Sequence, residues 1–174
     1  MRLSWSRLVL ALLAFPVLAH AETARCELDK ITSGRDLHEL LSRRSIEIIR
    51  RASAPHWELD AELTRFVAPE ASFDLGGGDV GRPLGEGVMG ARALSALMRA
   101  DRYGFDAWSV MDLPTQSCSA QKVMVEFVNT RDSVRSKIAF SYLAGRLVEA
   151  KGWEVFYSTG SLDAEEKRPI VTPR

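Results

Sequence analysis

The sequence predicts an α+β domain behind an export signal. Three observations carry that expectation: apolar residues at helical spacing through the first half of the chain, period-two alternation through the second half, and a short apolar stretch with a basic head at the N-terminus. Helices come first and strands later, with no internal repeat, so alternating βαβ units are not the pattern.

Met1 to Arg7 holds two arginines and no acid, Leu8 to Leu18 is apolar apart from Pro16, and Ala19-His20-Ala21 offers a small-x-small cleavage site. Those are the three parts of a signal peptide. The apolar stretch is shorter than the roughly 20 residues a spanning helix needs, so cleavage after Ala21 leaves no stable membrane anchor. The expected mature chain is 153 residues long, with one domain over 22–160 and a frayed tail over 161–174. The expected destination is periplasmic or extracellular.

Ser33 with Asp36 fits a helix cap, and Leu37, Leu40, Leu41 and Ile48 follow at helical spacing, so the first helix is expected from Gly34 to about Ala52. This spacing places His38 on the polar face. Ala54-Pro55 interrupts, and Leu59, Leu63, Phe66 and Val67 mark a shorter helix ending before Pro69. A strand is expected at Ala71 to Leu75. Seven glycines and Pro83 between Gly76 and Gly90 predict a long loop or hairpin-like excursion, followed by a third helix defined by Leu94, Leu97 and Met98. Phe105 to Val110, Lys122 to Asn129, Ser136 to Ala144 and Leu147 to Tyr157 are expected strands, with Ala144-Gly145-Arg146 turning the last hairpin.

Composition excludes some functions. The mature chain keeps 21 basic against 23 acidic residues, a formal charge of −2, which is unlike a nucleic-acid binder. The pairs Arg43-Arg44 and Arg50-Arg51 read as a solvated helix face. Cys26 and Cys118 form an even pair in a chain bound for an oxidising compartment, which predicts one disulfide, with two unpaired thiols as the alternative. Thr23-Ala24-Arg25 does not fit a lipid-attachment box before Cys26.

Two glycine patterns, Gly76-x-Gly78-x-x-Gly81 and Gly85-x-Gly87-x-x-Gly90, match the dinucleotide fingerprint in letters but not in context. The first opens no helix, and the second follows no buried strand. His38 and His56 have no companion pattern, no G-x-S-x-G elbow exists, and no two histidines have metal-ligand spacing. No cofactor or metal is expected. Asp74, between Phe73 and Leu75, and Glu126, among apolar neighbours, are the carboxylates that a pocket could turn into a general base. Alternation instead sends Asp74 to solvent. Trp108, Tyr142, Trp153 and Tyr157 are candidate lining for an apolar cavity, with core packing as the alternative.

The segment Phe66-Val67-Ala68-Pro69-Glu70-Ala71-Ser72-Phe73, the run Gly90-Ala91-Arg92-Ala93-Leu94 and the strand meander through Trp153 together resemble the NTF2-like (SnoaL, ketosteroid isomerase) superfamily over about residues 36–160. The resemblance implies a cone: a strongly curved antiparallel sheet wrapped around about three helices, a pocket at the open end, and often a homodimer through the outer sheet face. It places Leu75 at the isomerases' general-base position and Ile138 near their oxyanion acid. An apolar side chain serves neither role. The expected function is therefore non-catalytic: the domain binds a small apolar ligand, at Leu75, Trp108, Tyr142 and Trp153, or a protein partner. The rival is a SnoaL-like enzyme with Asp74 or Glu126 as base and Tyr103 or Tyr142 polarising the substrate. A third option is self-assembly through the Gly76 to Gly90 loop and the outer sheet.

Overall fold

The computed structural model describes residues 26–77, 80–107, 110, 116–156 and 168–170. The expected signal peptide, Trp108 and Tyr157 lie outside these residues.

Helix α1 spans Gly34–Ser53. Its start is fixed as expected, with the Ser33 side chain accepting from the Asp36 N–H at 3.2 Å. A single 3-10 turn at Trp57–Leu59 leads into α2, Ala61–Phe66, capped by Asp60 accepting from the Leu63 N–H at 3.0 Å. Strand β1 runs Val67–Gly77 and β2 Pro83–Glu86; α3 is Gly87–Met98. The remaining strands are β3 Arg102–Gly104, β4 Gln121–Asn129, β5 Val134–Leu143, β6 Arg146–Phe156 and β7 Arg168–Pro169.

All seven strands join one sheet in the order β2-β1-β6-β5-β4-β3-β7. Neighbours are antiparallel except β1, which lies parallel to β6. The turn between β5 and β6 is the expected one: Ala144 and Gly145 both take positive φ, +49° and +81°, as a two-residue hairpin of the primed type requires. The described helices pack on one face of the sheet, α3 against β1 and α1 against β4. Phe73, Leu75, Val123, Val125, Phe127, Ile138, Phe140, Tyr142 and Leu147 point into that core.

Several expectations are corrected. Of the two forms expected for the glycine-rich stretch, a long loop or a hairpin-like excursion, the structure has the hairpin. Gly76 and Gly77 end β1, Pro83–Glu86 pairs with β1, and Gly87 opens the third helix four residues before Ala91. Gly90 is glycine because of close packing: a Cβ there would meet Phe73 Cδ2 at 2.4 Å and the Gly85 carbonyl at 2.7 Å. The expected strand at Phe105 to Val110 is replaced by β3 three residues earlier. Phe105 instead lies beneath the Arg43 guanidinium, 5.8 Å from the ring centre, and Ala107 is buried. Part of the tail is held, not frayed: β7 pairs with β3, and the Ile170 N–H donates to the Asp101 carbonyl at 2.9 Å. The sheet is not strongly curled. It is an open layer with separate edges at β2 and β7, and its register shifts in the pairings of β1 with β2 and β6 and of β5 with β6.

Cys26 and Cys118 form the expected disulfide across a sequence separation of 92. Beside it, the Ser117 hydroxyl donates to the Leu28 carbonyl, and the Ala144 N–H donates to the Cys118 carbonyl at 3.3 Å. Leu28 is buried and touches Gly145 of the hairpin turn, so the bridge clips the N-terminal segment onto the β5–β6 corner.

Candidate functional site

The sequence-nominated residues do not converge. Leu75, Gly152, Ile138 and Val125 lie side by side on four adjacent strands, all facing the helices. Leu75 and Ile138 are buried, and Gly152 leaves the space that the Ile138 side chain fills. Asp74 is one residue out of phase and therefore faces away from the helices, in a row with Lys151, Ala139 and Met124. One of its oxygens is buried without a partner beneath Gly81. Glu126 shares that outer face and pairs with Arg135 at 3.5 Å. Three strand spacings across and two residues along, about 16 Å in all, separate the two acids. Trp153 is on the outer face as well, between Gly76 and Lys137, and is 43% exposed. Tyr103 sits opposite Phe127 and so on the helix side, as does Tyr142; neither shares a face with either carboxylate.

The polar chemistry of the interior belongs to α1. At about 100° per residue, the buried positions of this helix cover half its circumference, from Leu37 through Ser45 to Ile46, and His38 falls in the middle of that arc. The expectation that His38 lies on the polar face is corrected by Ile46 and Ile49, which carry the buried arc past it, with Ser42 and Ser45 inside the same span. Both serines are wholly buried and fall within the arc that Leu37 and Ile46 bound, on either side of His38. The helical spacing of His38, Ser42, Ser45 and Ile49 was legible in the sequence; that the serines would be buried was not.

These polar groups differ in how they are satisfied. The Ser45 hydroxyl donates to the Leu41 carbonyl at 2.9 Å and lies 2.7 Å from the Tyr142 hydroxyl. Burial raises the Tyr142 pKa and keeps the phenol neutral. The Ser95 hydroxyl of α3 donates to the Ile49 carbonyl at 3.1 Å. By contrast, Ser42 Oγ and His38 Nδ1 are buried with no hydrogen-bond partner. His38 is half-buried, and burial lowers its pKa, with the Asp106 carboxylate opposing that shift. These two unpaired atoms belong to residues four apart on the buried face of α1. Among the described residues, no group of three or more His, Cys, Asp and Glu could hold a metal, and no helix is long and apolar enough to cross a membrane.

The element order is two helices, a strand, a short hairpin strand, a third helix, then a long antiparallel meander whose last long strand lies beside the first. The fold is α+β, one sheet with the described helices on one face. No family model matches the chain, and no curated protein matches it. Solved structures similar to it include a proposed isomerase from Rhodopseudomonas palustris, with TM-score 0.40, 15% identity, and 66% of this chain and 90% of that chain covered. A proposed SnoaL-like polyketide cyclase from Jannaschia aligns with TM-score 0.37 and 12% identity over 66% of this chain and 87% of the other. A designed NTF2-fold protein gives 0.39 and 14% over 67% and 85%.

Proposed function

We propose that this domain is NTF2-like, is exported and binds a small, largely apolar ligand between its helices and its sheet, without catalysing a reaction on it. The observation that carries the reading is the pair of unpartnered polar atoms, His38 Nδ1 and Ser42 Oγ, on a helix face whose other buried residues are apolar or hydrogen-bonded. Buried polar groups are almost always paired, and an orphan costs about 1–3 kcal/mol. Two on adjacent turns of one helix mark a place where a partner is supplied from outside the chain. Non-catalysis is supported by placement: Leu75 and Ile138 occupy the helix side where the resemblance calls for acids, while Asp74 and Glu126 face away from that side and stand on strands separated by two others. The disulfide supports an oxidising destination, periplasmic or extracellular.

The test is native mass spectrometry of the mature protein, 22–174, as purified, followed by thermal denaturation of the stripped protein with lipophilic metabolites. A ligand at a hundred times its Kd adds about 2.7 kcal/mol, or roughly 5–10 °C in a domain of this size. Finding neither a co-purifying molecule nor any thermal shift removes the reading.

The outer sheet face favours a second role, binding a second copy or another protein. Met124, Trp153 and Val155 are exposed there at 42%, 43% and 48%. Light scattering of the protein and of a Trp153→Glu variant tests this: a monomer at micromolar concentration in both removes the homodimer.

A further inference from the structure

We infer that His38 Nδ1 and the Ser42 hydroxyl are one polar anchor, and that the ligand it holds is an apolar molecule carrying a single alcohol or phenol hydroxyl. The inference rests on the ligand-binding reading above and specifies its chemistry. The two atoms lie on one face of α1, four residues apart, and neither has a partner. Their neighbours on the same arc are paired: Ser45 with the Leu41 carbonyl and with Tyr142, and the Ile49 carbonyl with Ser95. The orphans are thus confined to one place on a helix whose other buried polar groups are accounted for.

The groups themselves select the ligand. A neutral imidazole nitrogen accepts or donates one hydrogen bond, and a serine hydroxyl does both. A ligand hydroxyl matches the pair, donating to the nitrogen while accepting from Ser42 Oγ. A hydrocarbon leaves both atoms orphaned. A carboxylate would require a counter-charge, yet burial disfavours the imidazolium at His38 and the nearby charge is the acidic Asp106. The rest of the wall is apolar, because Leu37, Leu41 and Ile49 flank the pair on α1 and β4 packs against this helix with Val123, Val125 and Phe127 inward. His38 is half-buried while its Nδ1 is fully buried.

The experiment uses 2-naphthol, naphthalene and 2-naphthoate as probes of matched body, with fluorescence titration of the stripped mature protein. Wild type is expected to bind 2-naphthol about tenfold more tightly than naphthalene, equivalent to about 1.4 kcal/mol, and 2-naphthoate no better than naphthalene. Ser42→Ala and His38→Phe are each expected to bring the naphthol preference to within about twofold of unity. The His38 Nδ1 nitrogen resonance should move with 2-naphthol and stay with naphthalene. Urea denaturation establishes that both variants are folded, and the nitrogen resonance gives a readout in wild type alone. Equal binding of 2-naphthol and naphthalene by wild type, as when an ordered water satisfies the pair, overturns the anchor while leaving the ligand-binding reading intact. So does a preference that survives both substitutions. Failure of all three probes to bind, together with the absence of any co-purifying molecule, overturns both.

Discussion

Ser42→Ala and Ser45→Ala are the same chemical change, one turn apart on the same buried face, and they should shift stability in opposite directions. Both replace serine with the best helix former, a gain of about 0.5 kcal/mol. Ser45→Ala also removes the partner of Tyr142, whose hydroxyl is then left with the Leu41 carbonyl at 3.4 Å, outside good hydrogen-bond length. Leaving a buried phenol nearly unpaired costs about 1–3 kcal/mol, so the net effect is a loss of roughly 0.5–2.5 kcal/mol. Ser42→Ala removes a hydroxyl with no partner, recovering about 1 kcal/mol or more of desolvation in the ligand-free protein beside the propensity gain. Urea denaturation of stripped protein at fixed pH separates them, with about 2–4 °C per kcal/mol expected in thermal melts. If both variants move the midpoint the same way by similar amounts, Ser42 is satisfied in solution and the reasoning about the anchor fails with it.

Three further outcomes follow from the same geometry. Replacing both cysteines, Cys26→Ser with Cys118→Ser, should cost roughly 4–5 kcal/mol by loop-closure entropy for a separation of 92 residues, read as a lowered urea midpoint; an unchanged midpoint refutes it. Because the folded pKa of His38 lies below its unfolded value of about 6.5, the unfolded chain takes up the proton first. That contribution to stability is complete above about pH 6.5 and declines as pH falls below it, a slope that His38→Gln should flatten between pH 7 and 5; equal slopes in the two proteins count against burial of the ring. The carboxylates with lowered pKa, Glu47 held mainly by its hydrogen bond to Arg50 and Asp60 by the Leu63 N–H and Arg51, act below that window. Gly90→Ala should lower stability by about 1–3 kcal/mol or more, since the added methyl meets the backbone carbonyl of Gly85 as well as the Phe73 ring; a wild-type midpoint would show that α3 can move away from β1.

The legible parts of this fold are those whose signal is local. Ser33 caps α1 because its side chain meets a backbone N–H three residues on, and β4 to β6 announce themselves because Val123, Val125 and Phe127 alternate with Lys122, Met124 and Glu126. The parallel pairing of β1 with β6 has no such signal: its partners, Phe73 with Ala150 and Leu75 with Gly152, are set by the closure of the sheet. Gly87 and Gly90 carry the same lesson. In sequence they read as freedom, yet each sits where a neighbour's backbone comes close, the Pro69 carbonyl at 2.7 Å from a Cβ on Gly87 and the Gly85 carbonyl from one on Gly90. The site was hidden for a related reason. A helix face is read from its apolar residues, and Ser42 and Ser45 do not count as apolar although both are buried. They lie inside the arc that runs from Leu37 to Ile46, on either side of His38. The acids that hydropathy singled out, Asp74 and Glu126, turn outward by simple strand parity. What distinguishes an interior site here is therefore the balance of donors and acceptors. Ser45 and Tyr142 close on each other and hold α1 to β5, whereas His38 and Ser42 face the same interior with that balance left open.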